Sequence, residues 1–159
     1  MLFRSLMTRS NKPLDISSYW VIVADEYQST IYAREKKHSP LQEVTSLLNK
    51  SAREKTSDLI SDRGGRSFDS HGQGRHTLSS EKSDPKTRLV TAFAKEIADR
   101  ISKAKQDAEF DKLVVVAAPR FLGVLRPALA TAGIDVEHAF DKEMTAKDPA
   151  SIQELIDSE

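Results

Sequence analysis

Short apolar runs separated by polar turns dominate the first third of the chain and predict three β-strands. Tyr19–Asp25 is a continuous apolar run rich in β-branched residues, which is typical of a buried strand. Tyr27–Arg34 follows after a tight turn, and Leu41–Leu48 alternates imperfectly between apolar and polar residues. Because only short turns separate these runs, we expect the three strands to form an antiparallel meander.

The second half of the chain alternates between helical and strand patterns. Asp84-Pro85 is a helix-start signal, and apolar residues recur every four positions from Leu89 to Ile101, so an amphipathic helix is expected to about Ala104. The later elements are a strand at Leu113–Ala118, a helix from Pro119 to about Ala132, a strand at Ile134–Phe140 and a helix at Pro149–Ile156. Pro127 lies inside the second of these helices and predicts a kink or a break there.

The resulting order of elements is β-β-β-α-β-α-β-α. Parallel strands need right-handed crossovers, and one arrangement places strand 4 beside strand 1. We therefore predict a three-layer α/β/α domain over residues 19–159, with a mixed five-stranded sheet of ribonuclease-H-like topology. Residues 1–18 mix polar and apolar positions and are expected to form a flexible N-terminal tail.

A polar segment at residues 49–83 interrupts this pattern and is expected to form a long loop rich in glycine and arginine. Such a long insert in a compact domain is usually functional or disordered. In the predicted topology the loop begins at the edge of the sheet where Asp25, Asp84 and Arg120 also lie. The carboxyl ends of strands are where sheets of this kind bind ligands.

The loop and the helix starts beside it supply candidate phosphate-binding residues. Arginine forks match the geometry of phosphates and carboxylates, glycines allow close backbone approach, and helix N-termini favour anions. The candidates are Arg63, Gly64, Gly65, Arg66, Gly72, Gly74, Arg75, His76 and Arg120. A solvated loop whose arginines pair with its own aspartates is the alternative that remains open.

Catalytic chemistry has weaker signals than anion binding. Asp25, Gln73 and His76 are the candidates for hydrolysis at the same edge. A two-metal nuclease needs a second carboxylate near the end of strand 4, where residues 116–119 contain no acid. His71 and His76 are a weak metal signal, so we predict no metal and no cofactor, and the sequence favours a protein that is not an enzyme.

Amino-acid composition and hydropathy further restrict the class of protein to which the chain can belong. The chain has 24 lysine and arginine residues and 24 aspartate and glutamate residues, so its net charge does not favour binding of nucleic acid. A local basic patch remains compatible with this balance. Without cysteine there is no thiolate metal site. The apolar runs are too short to span a bilayer and the N-terminus does not match a secretory signal, so a cytoplasmic location and no membrane partner are expected. The free edge of strand 3 or strand 5 leaves homo-oligomerisation open.

Several segments resemble the bacterial host attachment protein family, also described as protein required for attachment to host cells. The matching pieces are residues 20–25, 59–76, 84–86 and 110–126, together with the stretch near Phe140–Thr145. The family also resembles the middle domain of archaeal and eukaryotic class-one peptide release factors, where a loop between strand 3 and the long helix carries Gly-Gly-Gln for peptidyl-tRNA hydrolysis. Here the loop carries Gly64-Gly65-Arg66 and Gly72-Gln73-Gly74 instead.

The resemblance implies a non-catalytic cytosolic domain that associates with RNA or the ribosome, since the arginines and glycines remain although the tripeptide is absent. Two alternatives stay open. One is a role in attachment to host cells, which we expect to be indirect. The other is hydrolysis of aminoacyl-tRNA, peptidyl-tRNA or another phosphate-bearing ester.

Overall fold

The strands and helices follow in the predicted order in a computed structural model, which describes residues 17–54 and 84–158. The strands are β1 (Tyr19–Ala24), β2 (Gln28–Arg34), β3 (Gln42–Leu48), β4 (Lys112–Ala117) and β5 (His138–Phe140). The helices are α1 (Pro85–Gln106), α2 (Pro119–Thr131) and α3 (Pro149–Asp157). The α/β class and the mixed five-stranded sheet are therefore confirmed.

The sheet has the strand order β3-β2-β1-β4-β5. β2 is antiparallel to β1 and β3, whereas β1 pairs parallel with β4 and β4 pairs parallel with β5. The carboxyl ends of β1, β3, β4 and β5 therefore meet on one side of the sheet. We call this side the carboxyl edge, and the chain leaves its strands there at Asp25, Asn49, Ala118 and Asp141.

The core lies on both faces of the sheet. The even-numbered residues of β1 belong to the apolar cluster that contains α1 and α2, and the odd-numbered residues belong to the cluster that contains α3. Phe93 and Phe121 are both fully buried in the first cluster, with ring centroids 6.0 Å apart. Because helices cover both faces, β1 and β4 read as continuous apolar runs rather than alternating ones.

The region around α2 and β5 differs from the predicted boundaries. β5 begins at His138, not at Ile134, because the residues before it complete the end of α2. Gly133 takes a positive φ of 79°, and the N–H of Ile134 donates to the carbonyl of Leu129 over 2.9 Å. α2 also continues through Pro127, so the expected break does not occur.

The chain also departs from prediction just after β3, where residues 50–54 are helical rather than loop. Asn49 explains this start, since its Oδ1 accepts from the N–H of Ala52 over 3.4 Å. Its Nδ2 donates to the carbonyls of Glu26 and Leu89, at 3.1 and 3.3 Å. The side chain thus ties the end of β3 to the β1–β2 turn and to α1. The rest of the predicted loop lies outside the described residues.

Replacing Asn49 by alanine should destabilise the protein by about 2 kcal/mol, because it removes the cap on the N–H of Ala52 and the two hydrogen bonds that this buried side chain donates to the carbonyls of Glu26 and Leu89. Urea unfolding measures the change. Gln42→Ala is the control, since Gln42 is exposed at the start of β3, the strand that precedes Asn49, and it should change stability by less than about 0.5 kcal/mol. Equal stability of the two variants would show that the Asn49 bridge contributes nothing.

Candidate functional site at the carboxyl edge

Two adjoining cavities lie at the carboxyl edge and share Arg120. One, of about 260 Å³, is also lined by Asp25 and Glu143. The other, of about 220 Å³, is also lined by Asp84 and Lys86. Of the three residues that the predicted topology brings together within the described chain, Asp25 and Asp84 therefore each line a cavity with Arg120.

Asp25 closes the turn between β1 and β2. Its Oδ1 accepts from the backbone N–H groups of Tyr27 and Gln28, at 2.8 and 2.9 Å, and its own N–H donates to the carbonyl of Gln28. Its Oδ2 accepts from the hydroxyl of Thr145 over 3.0 Å. Both carboxylate oxygens are thus used in the fold, which favours the turn-forming role typical of aspartate after a strand.

The chain after β5 folds back onto the end of β1. Thr145, besides donating to Asp25, lies in hydrogen-bond contact with the carboxylate of Glu143. Glu143 is exposed and lines the cavity beside Arg120. These two residues were not among the predicted site residues, although β5 runs parallel to β4 and β1 and the residues that follow it therefore reach the same edge.

Tyr27 holds two cations at this edge. The Nζ of Lys86 lies 5.1 Å from the centroid of the Tyr27 ring, and the guanidinium carbon of Arg53 lies 5.5 Å from the same centroid. Lys86 also pairs with Glu26, with 3.3 Å between Nζ and Oε1. The hydrogen bond to the Tyr27 side chain, followed by the charge of Glu26, raises the pKa of Lys86 above its ordinary value of 10.5, so the ammonium stays protonated.

Tyr27 and Lys86 were not among the predicted site residues, although their positions in the sequence indicate the same edge. Tyr27 lies in the turn between the first two strands, and Lys86 lies in the first turn of the first long helix. In the predicted topology, the β1–β2 turn and the start of the long helix both lie at the carboxyl edge.

Asp84 is the N-cap of α1, as its sequence context predicts. Its Oδ2 accepts from the hydroxyl of Thr87 over 2.7 Å and from the N–H of Thr87 over 3.4 Å. The hydroxyl contact, with the backbone N–H groups and the charge of Arg88, holds the pKa of Asp84 below its ordinary value of 3.8. The carboxylate is therefore ionised at neutral pH and is engaged by its own helix.

Arg120 lies exposed at the second position of α2. Within residues 17–54 and 84–158, its guanidinium makes no hydrogen bond and no ion pair. The N-cap of α2 is Ala118, which offers no side-chain acceptor, and the first helical bond runs from the N–H of Leu122 to the carbonyl of Ala118 over 2.8 Å. A cation thus stands beside a helix start whose first N–H groups have no side-chain cap within the described part of the chain.

The other candidate residues lie in segment 55–83, outside the described residues. They are Arg63, Gly64, Gly65, Arg66, Gly72, Gln73, Gly74, Arg75 and His76. The described residues on either side of this segment both lie at the carboxyl edge, since Arg53 contacts Tyr27 and Asp84 lines the cavity shared with Arg120. The arginine-rich segment is therefore attached to the carboxyl edge at both of its ends.

Residues 17–54 and 84–158 contain no group of three or more histidine, cysteine, aspartate or glutamate side chains placed to hold a metal ion. In the same ranges, no helix combines the length and the apolar character needed to cross a bilayer.

The fold and the carboxyl edge together define an α/β domain with a mixed five-stranded sheet and a charged double cavity. The chain belongs to the family described as "Protein required for attachment to host cells", whose sequence model matches residues 20–156. This match confirms the resemblance to the host attachment family that the sequence segments indicated. A comparison with curated proteins gives no match.

Among solved structures, the chain is similar to the type II variant of the Ppx/GppA phosphatase of Aquifex aeolicus, with a TM-score of 0.42 and 9% sequence identity. The match covers 79% of this chain but 36% of that one, so this chain spans about a third of the length of the phosphatase. A structural likeness with a TM-score this low carries no conclusion about the function of this chain.

Proposed function

We propose that this chain is a non-catalytic cytosolic RNA-binding domain that contacts RNA phosphates at its carboxyl edge, in translation or on the ribosome. The observation that carries the proposal is the position of the guanidinium of Arg120, which has no partner among the described residues. It shares one edge with Arg53, Lys86 and both attachment points of the arginine- and glycine-rich segment.

The topology supports a relation to the middle domain of class-one peptide release factors. The strand order β3-β2-β1-β4-β5, with the chain order β-β-β-α-β-α-β-α, is consistent with a ribonuclease-H-like sheet. The glycine-rich segment lies between β3 and the long helix α1, the place of the functional loop in that domain. Fold relation alone does not carry function, so the chemistry of the edge is needed beside it.

The chemistry of the edge fits phosphates. Guanidinium groups bind phosphate oxygens with two parallel N–H donors, and such contacts position nucleic acid without reading its sequence. We assign this role to Arg63, Arg66, Arg75 and Arg120. The ring of Tyr27 keeps Arg53 and Lys86 at the same edge as Arg120. Because the net charge of the whole chain is zero, binding depends on this patch and should be sensitive to salt.

The same edge gives little support to hydrolysis. Both oxygens of Asp25 are occupied by the turn and by Thr145, so the carboxylate is not poised as a base. The Gly-Gly-Gln tripeptide of the release factors is replaced here by Gly64-Gly65-Arg66. We propose that the attachment phenotype in the family description is an indirect consequence of RNA binding.

Replacing Arg120 by alanine should lower the affinity for a labelled single-stranded RNA roughly five-fold, equivalent to about 1 kcal/mol for one exposed charge contact. The slope of log affinity against log salt should fall by about 0.7, the value for one phosphate contact on a single strand. Fluorescence anisotropy over a salt series measures both quantities.

Arg126→Ala is the matched control, because Arg126 is exposed on the same helix and lines neither cavity. It should leave the affinity and the slope close to those of the unmodified protein. If Arg120→Ala and Arg126→Ala behave alike, the carboxyl edge is not the RNA-binding surface.

A further inference from the structure

The outer edge of β3 is the longer of the two edges of the sheet. β3 has seven residues, whereas β5, the strand at the opposite edge, has three. β3 pairs with β2 on one side and has no neighbouring strand on the other within the described residues. A strand edge of this length offers unpaired backbone N–H and C=O groups to another strand.

β3 also carries exposed apolar side chains. Val44 and Leu48 are 45% and 55% exposed, and they are the two exposed large hydrophobic residues of the described chain. Both lie on this one strand, four residues apart, with Ser46 midway between them. Natural edge strands usually avoid such side chains or protect them with charges, so this pair indicates a surface that is covered.

We propose that β3 pairs antiparallel with β3 of a second copy of this chain, with the two-fold axis at Ser46. In this register Val44 of each copy lies opposite Leu48 of the other, so the apolar pair forms twice. Ser46 lies opposite Ser46, and the two five-stranded sheets become one continuous ten-stranded sheet.

The sequence of β3 favours its own copy over an unrelated strand because it is self-complementary in this register. Moving the axis to Thr45 would place Val44 opposite Ser46 and Leu48 opposite Gln42, which separates the apolar residues. Glu43 is the single charged residue of β3. In the proposed register it lies opposite Asn49, and the two Glu43 side chains are about 20 Å apart, so they do not repel each other.

The pairing of β2 with β3 sets the extent of the interface. Its register shifts between Ile31 and Tyr32, which skips Val44. The bulge changes the direction of the strand at Val44. The hydrogen-bonded ladder between the two β3 strands should therefore extend from Val44 to Leu48 and no further. A ladder of five residues on each copy is short, and a reversible, concentration-dependent dimer is expected rather than an obligate one.

A cysteine cross-link tests the register directly, because the full chain contains no cysteine. Ser46→Cys places two thiols opposite each other at the axis, close enough for a disulfide after a small adjustment. Gln42→Cys is the control on the same strand, since its two copies would lie about 26 Å apart. Under mild oxidation, Ser46→Cys should form a disulfide-linked dimer, whereas Gln42→Cys should form no covalent dimer.

A charge exchange tests the apolar pair. Val44→Lys and Leu48→Glu should each weaken the dimer affinity at least about ten-fold, as measured by sedimentation equilibrium. The double variant should recover the affinity, because the lysine of one copy then lies opposite the glutamate of the other. Both positions are exposed, so circular dichroism should show an unchanged fold. An unmodified protein that stays monomeric at all concentrations, equal cross-linking of the two cysteine variants, or a double variant as weak as the single ones would each overturn the proposal.

Discussion

Replacing Arg66, Arg75 and Arg120 together by alanine is expected to lower RNA affinity roughly 100-fold at low salt. Three exposed charge contacts at about 1 kcal/mol each amount to about 3 kcal/mol, which corresponds to this factor. The salt slope should fall by about 2, the value for three phosphate contacts on a single strand. Co-sedimentation with ribosomes and anisotropy with free tRNA, both over a salt series, measure the loss.

The control removes the same number of positive charges elsewhere. Lys37, Arg100 and Arg126 are exposed, and none of them lines a cavity at the carboxyl edge. Their triple alanine variant has the same net charge as the first one. If it loses as much affinity, binding follows total charge and not the edge, and the assignment of the arginines is wrong.

Replacing Phe121 by alanine should destabilise the protein by about 3–5 kcal/mol, the cost of removing a fully buried aromatic ring. Phe121 directly follows Arg120, and its ring packs 6.0 Å from that of Phe93 in α1. The two rings join the first turn of α2 to the middle of α1. Loss of the Phe121 ring should therefore also make the position of Arg120 less well defined. Urea unfolding gives the stability, and anisotropy on the folded fraction gives the RNA affinity.

Phe121→Leu is the conservative variant and should cost roughly half as much, since it keeps most of the apolar volume. A loss below about 1.5 kcal/mol for Phe121→Ala would be in the range of a well-tolerated core substitution. That outcome would show that the contact between α1 and α2 does not depend on this ring.

Much of the fold was predictable because its strongest elements carry local signals. β1 and β4 are continuous runs of β-branched residues, and α1 begins at Asp84-Pro85 and keeps a four-residue apolar spacing. β5 was predicted too long because the turn at Gly133 belongs to the end of α2. Residues 50–54 were predicted as loop because they contain few apolar residues, and the cap of Asn49 on the N–H of Ala52 that starts their helix was not used as a signal.

The candidate site was predictable only as far as topology reaches. The parallel pairing of β1 with β4 places Asp25 and Arg120 at one edge, and both positions follow from the order of elements. The hydrogen bond between Asp25 and Thr145 joins residues 120 positions apart, and no local sequence pattern predicts it. The placement of Lys86 against Tyr27 likewise depends on how the side chains pack.

Photo-cross-linking of the full-length protein to single-stranded RNA containing 4-thiouridine, with the cross-linked peptides mapped by mass spectrometry, tests the RNA-binding edge most directly. The proposal predicts cross-links in peptides that contain Tyr27, Arg120 or residues 61–76, and their loss at high salt. Peptides from the opposite end of the sheet, around Lys37, serve as the internal reference. Cross-links concentrated there, or none at low salt, would contradict RNA binding at the carboxyl edge.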